Sequence, residues 1–264
     1  MRFFTASAGV VLVLLLALVG SAFGGRDDGP DRAVGPPEAG GGSDTGAPLQ
    51  DGLEVAVFID VVRHFHGGPP PHEATDAATD VHLINGGISW PSASTVRYSL
   101  DASGCSNDCG GAVAAVNAGF DAWEVSGVTF TQDNTNPDQN PCSDDANSVN
   151  WTAIDGVDGV VAQTFVCFNP ATKEIMGFEM QFDADDAWTD SADGNRLDIQ
   201  GTAAHEAGHA VGLDHVNPPK AARLTMFPFI ALDDAGIRTL GCGDRLGVNR
   251  AYATSLDCSG LPDD

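Results

Sequence analysis

Basic residues are scarce in this sequence. Its 264 residues include 37 Asp and Glu but only 12 Lys and Arg, which gives a formal net charge of −25 at pH 7. Only two of the basic residues are lysines, Lys173 and Lys220. Because such a surface repels nucleic-acid phosphates and anionic lipid headgroups, the composition argues against a nucleic-acid partner and against membrane docking by a basic patch.

Long hydrophobic runs are lacking beyond the first 24 residues. Residues 1–24 combine one early basic residue, Arg2, with an apolar run from Val10 to Val19 and small residues near Gly24. This pattern is typical of a secretory signal peptide, and an uncleaved anchor is the alternative interpretation. No later stretch approaches the ~20 apolar residues of a membrane span. The mature protein is therefore expected to be secreted, with no membrane partner.

Cysteine is absent from the first 104 residues, and all six cysteines follow them. An even number of cysteines in an exported domain fits disulfide formation in an oxidising compartment. Six cysteines allow fifteen pairings. Among these, proximity along the chain favours Cys105–Cys109, Cys142–Cys167 and Cys242–Cys258.

The segment after the signal peptide, residues 25–85, is poor in core-forming residues. Residues 25–51 contain 11 Gly or Pro among 27 positions, as in a flexible linker. A short apolar island at 53–63 interrupts this composition and can form a strand. It is either part of a pro-segment or an extra strand on the domain that follows. We expect the linker or pro-segment at 25–85 and one folded domain at 86–264.

Regular patterning begins near Gly87 and mixes strand with helix signals. Val96, Tyr98 and Leu100 alternate with other residues as in a half-buried strand. A helical stripe expected in the core follows, made of Val113, Val116, Phe120 and Trp123. Further strand-like runs lie at 128–131, 149–154, 160–168 and 175–182, and a helical segment starts at about Asp198. This order of elements predicts an α+β domain.

The most informative stretch is the motif HExxH at His205, Glu206 and His209. On a helix, two histidines four residues apart project from one face, so their imidazoles can bind one Zn²⁺. Glu206 lies next to the first ligand and is free to act as a general base. A histidine-rich core helix is the alternative interpretation of the same pattern.

Gly212 and His215 extend this motif. Glycine permits the left-handed backbone that ends a helix, so the chain can turn sharply and return His215 as a third ligand. Three protein ligands leave a fourth position open, as in catalytic zinc sites. A zinc-activated water, with Glu206 as base, would then attack a peptide carbonyl. A closed structural zinc site is disfavoured, because no cysteine lies nearby.

Together these residues resemble the metzincin signature HExxHxxGxxH, whose later methionine turn matches Met226. In metzincins this methionine lies beneath the zinc as an apolar base without binding it. Within metzincins the chain resembles the matrixins over about Gly87 to Tyr252. The resemblance implies a twisted, mixed, five-stranded sheet with an active-site helix and a C-terminal helix.

The sequence departs from matrixins at several positions. Val216 follows the third ligand, where matrixins have Ser or Thr, and Gln163 replaces the edge-strand histidine of their second, structural zinc. We therefore expect one catalytic zinc and no second zinc. The propeptide cysteine that silences vertebrate members is absent, so any latency must arise differently.

The resemblance also implies a calcium site at the glycine-rich loop. In the family, acids matching Asp155, Asp183 and Asp186 hold a Ca²⁺, and oxygen ligands suit that ion. Alternatively, these acids are part of the general negative surface.

The expected function is that of a secreted, monomeric zinc metalloendopeptidase acting on a protein or peptide substrate. The substrate would lie along the edge strand 160–165, beside a specificity wall at 228–230. Two alternatives stay open: a zinc-binding adhesion module without turnover, and a hydrolase of another amide such as a peptidoglycan cross-link.

Overall fold

The computed structural model describes residues 52–62, 75–134, 142, 147–216 and 219–261. The predicted signal peptide at 1–24 lies outside the described residues, as do residues 25–51 and 63–74 of the predicted linker or pro-segment. Among the described helices, none has the length and apolar character that a membrane crossing requires.

The described chain contains three α-helices and twelve strands, with long runs of strands between the helices, which confirms the α+β class. The helices are α1 (Ala112–Asp121), α2 (Ile199–Ala210) and α3 (Cys242–Tyr252). The first six strands are β1 (Glu54–Val62), β2 (His82–Leu83), β3 (Thr95–Asp101), β4 (Asn107–Asp108), β5 (Thr129–Gln132) and β6 (Asn147–Thr152). The next six are β7 (Val160–Asn169), β8 (Glu174–Asp183), β9 (Trp188–Thr189), β10 (Leu197–Asp198), β11 (Leu213–Asp214) and β12 (Phe229–Ile230).

The main sheet has the strand order β12-β1-β7-β8-β6-β3-β5. It is mixed, as predicted, because β7 is antiparallel to both neighbours whereas β8, β6, β3 and β5 run parallel. The predicted five strands are β5, β3, β6, β8 and β7. The sheet contains two strands more, because β1 hydrogen-bonds to the outer edge of β7 and β12 to the far side of β1.

The core lies between this sheet and the helices α1 and α2. Val116, Phe120 and Trp123 are buried, as the helical stripe predicted. Val113 is 43% exposed, so its assignment to the core was wrong; it lies in the first turn of α1. Helices α1 and α2 approach closely at Gly119, where an added Cβ would lie 2.7 Å from the Cβ of Ala203.

Three disulfides cross-link the described chain. They join Cys105 to Cys109, Cys142 to Cys167 and Cys242 to Cys258, which confirms the predicted pairing.

Residues 75–85, which the sequence placed in the linker or pro-segment, contact the domain. Strand β2 pairs antiparallel with β11, and the Cys242 N–H donates to the Asp76 carbonyl at 2.7 Å. These contacts place β2 beside the turn that follows α2.

Candidate metal centre

Helix α2 is held firmly at its start and along its length. The Asp198 carboxylate caps it by accepting from the Gly201 N–H at 2.7 Å, and Arg238 Nε donates to the same carboxylate at 2.8 Å. Further along, Gly208 leaves room for Met226, because an added Cβ would lie 2.1 Å from the methionine sulfur. The faces that carry His205 and His209 are fully buried.

Gly212 makes the turn that returns the chain to α2. Its φ is 96°, in the range that favours glycine, which confirms the predicted left-handed turn. An added Cβ would also lie 2.3 Å from the Ile88 carbonyl oxygen. The turn leads through β11 to His215, whose imidazole faces those of α2.

The three imidazoles converge through their Nε2 atoms. The Nε2 of His215 lies 3.2 Å from that of His205 and 3.1 Å from that of His209. The Nδ1–H of His205 donates to the Thr225 carbonyl, and that of His209 donates to the Leu213 carbonyl at 2.8 Å. Because these Nδ1 atoms carry the protons, the Nε2 atoms of both residues present lone pairs to one point.

Asp60 of β1 lies at the same point. Its Oδ1 is 3.0 Å from the Nε2 of His205 and 2.8 Å from that of His215, and its Oδ2 is 3.8 Å from that of His209. In the described part of the chain, one group of three or more His, Cys, Asp or Glu residues has ligand atoms all within 4.8 Å of one another: Asp60, His205, His209 and His215.

These residues fit a zinc ion. Ligand atoms around a tetrahedral zinc at ~2.0–2.1 Å lie about 3.3 Å from one another, close to the spacings seen here. Imidazole lone pairs aimed at each other in a buried site repel unless a cation lies between them. The donor set of three imidazoles and one carboxylate is also one that zinc accepts.

The electrostatics of the cluster are dominated by Asp60: burial lowers the pKa of His205, but the charge of Asp60, together with hydrogen bonds to Asp60 and Thr225, outweighs it and raises this pKa above its usual value. Burial raises the pKa of Asp60. The charges and hydrogen bonds of His205 and His215 together have a larger, opposite effect and hold this pKa well below its usual range. Burial and the two neighbouring imidazoles lower the pKa of His209 well below its usual value. A neutral imidazole and an ionised carboxylate are the forms that bind a metal.

Glu206 lies beside this cluster, on α2 between the two histidines. It is fully buried, and its Oε2 accepts a hydrogen bond from the Thr164 hydroxyl of β7 at 2.6 Å. Its Oε1 has no hydrogen-bond partner within the described chain. Burial, and then the charge of Asp60, raise the pKa of Glu206 well above its usual range.

Met226 packs against Gly208 of α2, the residue before the second histidine of that helix. Asp244 of α3 holds this turn, because it accepts from the N–H of Thr225 at 2.9 Å and of Met226 at 3.2 Å. The Thr225 carbonyl in turn orients His205. The methionine turn, which Asp244 of α3 supports, therefore fixes the orientation of the His205 imidazole.

The three acids predicted to bind calcium lie around the loop between β6 and β7. The Asp155 N–H donates to Asp183 Oδ2 at 3.2 Å, and the Asp158 N–H donates to Asp186 Oδ1 at 3.0 Å. Asp186 Oδ2 is buried without a hydrogen-bond partner within the described chain. The three carboxylates are neighbours across this loop, but they do not form a group as tight as the histidine cluster.

Sequence reasoning missed Asp60 and Thr164. Asp60 carried a usable signal, because a single acid within the apolar run Val57 to Val62 would be buried in any strand and would need a partner. Thr164 carried none, since a threonine in a strand is ordinary.

Comparisons with known proteins place part of the chain in one family. The family model Peptidase_M10, described as Matrixin, matches residues 89–253. The macrophage metalloelastase of Oryctolagus cuniculus is 37% identical over 102 residues, 39% of this chain and 20% of that protein. Matrix metalloproteinase-25 of Homo sapiens is 32% identical over 139 residues, 50% of this chain and 24% of that protein.

The matched region thus spans a quarter or less of the length of these two relatives. Among solved structures, that of myroilysin is 12% identical, with a TM-score of 0.36, and covers 64% of this chain and 97% of that chain.

Proposed function

Because the chain belongs to the matrixin family, peptidase M10, we propose that it is a zinc-dependent endopeptidase with Glu206 as its general base. The observation that carries this proposal is the convergence of three buried imidazoles beside a buried carboxylate on the same helix. His205, His209 and His215 would hold the zinc. A site for binding alone has no need of the adjacent carboxylate.

A bound zinc supplies Lewis-acid chemistry, which polarises the scissile carbonyl and makes water more acidic. Glu206 takes the proton from the attacking water as the C–O bond forms, and passes it to the amide nitrogen as the C–N bond breaks. The Thr164 hydroxyl holds Oε2, which leaves Oε1 for this proton transfer. Met226 serves as the apolar base of the site.

A protein or peptide substrate is expected to add as a strand to the outer edge of β7. Pro228 and the following strand β12, Phe229–Ile230, would then wall the main specificity pocket. Three disulfides support an extracellular location for the enzyme. We propose that it acts there as a monomer.

The test of this function is hydrolysis of casein and of a peptide library by the purified, zinc-loaded full chain. It should be run on the wild type and on Asp60→Ala, because the Asp60 carboxylate lies at the metal position. Glu206→Gln should reduce the rate roughly 10²- to 10⁴-fold, and a chelator should abolish it. Glu174→Gln, which alters an acid at the far end of β8, should not.

Equal rates for Glu206→Gln and its parent would contradict the mechanism. A folded, zinc-loaded chain that cleaves no peptide, with or without Asp60, would favour a binding module. Cleavage of a peptidoglycan fragment, but of neither casein nor any library peptide, would favour the other class of hydrolase.

We also propose that Asp155, Asp183 and Asp186 hold a calcium ion. Burial, and then the charges of the neighbouring acids, raise the pKa of Asp186 to about 6. A divalent cation would relieve this repulsion, and oxygen ligands suit Ca²⁺.

This proposal predicts a pH dependence. In the calcium-free protein the folded state binds the Asp186 proton more tightly than the unfolded state does. The contribution to stability is therefore present below pH 3.8 and is lost as the pH rises through about 6. Calcium should raise the Tm more at pH 7.5 than at pH 5. This difference should vanish in Asp186→Asn but persist in Asp185→Asn; a calcium response independent of Asp186 would contradict the site.

A further inference from the structure

Strand β1 occupies the position in which a substrate is expected. It pairs antiparallel with β7 from Glu54 opposite Phe168 to Asp60 opposite Ala162. Past a register shift, Val61 and Val62 pair in parallel with Phe229 and Ile230 of β12. The chain's own segment therefore fills the space between the edge strand and the wall, and takes up the hydrogen-bonding edge of β7.

The side chains of β1 point alternately inward and outward, as in any strand. Ala56, Phe58 and Asp60 point inward and are buried, whereas Ile59 between them is 50% exposed. Phe58 stacks on His209, with ring centroids 4.0 Å apart and planes 10° apart. Strand β1 therefore contacts the site through side chains as well as through its backbone pairing with β7.

Asp60 closes the metal centre. A catalytic zinc keeps one position open for water or substrate, whereas a zinc with four protein ligands is closed. The Asp60 carboxylate is 0% exposed and lies against the three Nε2 atoms, with its nearest contact 2.8 Å from His215. A buried carboxylate without compensating charge is costly, so this placement favours a cation among the four residues.

We propose that residues 54–62 are a built-in inhibitor, which lies in the substrate cleft and supplies Asp60 as the fourth ligand of the catalytic metal. In this state the position for water and the scissile carbonyl is taken, and the edge of β7 is already paired. The described structure is thus a latent form. Activity requires that β1 leave the cleft and that Asp60 leave the metal.

The claim that β1 keeps the enzyme latent rests on the proposed function. The assignment of Asp60 as a metal ligand does not. The two can therefore be tested separately. A direct report on the ligands comes from the visible absorption spectrum of the full chain loaded with Co²⁺, which depends on the ligand set around the metal. A report on strand pairing comes from hydrogen exchange of the amides in 160–165.

The informative variants are Asp60→Ala and the double variant Asp60→Ala with Phe58→Ala, which also removes the stacking on His209. Glu54→Gln is the matched control, because it changes an acid on the same strand far from the histidines. Each full chain is measured for its cobalt spectrum, its hydrogen exchange and its rate on a quenched fluorescent peptide.

Asp60→Ala should change the cobalt spectrum and raise the rate roughly 10- to 100-fold, the range expected for loss of one charge-assisted contact. The double variant should also show faster exchange at 160–165. Glu54→Gln should match the wild type in all three measurements.

A cobalt spectrum unchanged by Asp60→Ala would overturn the ligand assignment. A rate unchanged in both Asp60 variants, in a chain that does cleave peptides, would overturn latency. If the spectrum changes but no variant cleaves any peptide, the ligand assignment is supported and the proposed function fails.

Discussion

At the scale of single residues, Glu206 is a buried carboxylate that accepts a hydrogen bond through one oxygen, while its other oxygen has no hydrogen-bond partner among the described residues. Thr164 makes the anchoring contact, and it belongs to a different element, β7. A general base must be aimed as well as ionised, because proton transfer requires hydrogen-bond reach. In the proposed mechanism, Thr164 is therefore a positioning residue for Glu206.

Thr164→Val, made in the Asp60→Ala background so that the cleft is open, should lower kcat about tenfold with little change in KM. It should also shift the acidic limb of the pH profile upward, because the Thr164 hydrogen bond lowers the pKa of Glu206. Thr164→Ser should restore both.

Steady-state rates measured between pH 5 and 9 check this prediction. A loss of activity without any shift of the pH profile would indicate that Thr164 supports packing rather than the carboxylate.

At the scale of elements, the metal centre is assembled from α2, β11 and the methionine turn, and α3 supports it from behind. Asp244 of α3 is fully buried and accepts three backbone N–H groups, those of Thr225, Met226 and Gly241. The carboxylate thus accepts hydrogen bonds from backbone N–H groups that would pair with carbonyl groups in a helix or a strand. The turn can therefore hold both Met226 and the carbonyl that orients His205.

Asp244→Ala should leave these three buried N–H groups without an acceptor and reduce the free energy of unfolding by roughly 3 kcal/mol or more. Zinc affinity should fall with it, because His205 loses its support. Urea unfolding and chelator competition measure the two effects. Asp257→Ala, an exposed acid near the C-terminal end of the described chain, is the control and should change neither.

The elements also show what sequence could predict. The HExxH helix and the Gly212 turn follow from one motif, and strands β3, β5, β6, β7 and β8 follow from local periodicity. The pairing of β1 with β7 does not, because its register joins residues that lie 99 to 114 positions apart in the sequence. The apolar island thus predicted a strand, but neither its partner nor the role of Asp60.

At the scale of the whole molecule, most of the acidic excess lies in the predicted domain at 86–264. Residues 86–264 hold 26 acids and 8 bases, a net charge of −18. The described acids with a proposed role are few: Glu206 at the base position, Asp60 at the metal, Asp244 behind it, and the three at the calcium loop. Most of the charge is therefore a property of the surface, which opposes nucleic acid as a partner.

The central claim is that three histidines hold one zinc in a cluster that Asp60 completes. Zinc K-edge X-ray absorption on the purified full chain tests this most directly. The expected result is one zinc per chain, bound by three imidazole nitrogens and one oxygen at ~2.0–2.1 Å. A chain that binds no zinc, or zinc with fewer than three imidazoles, would contradict the account.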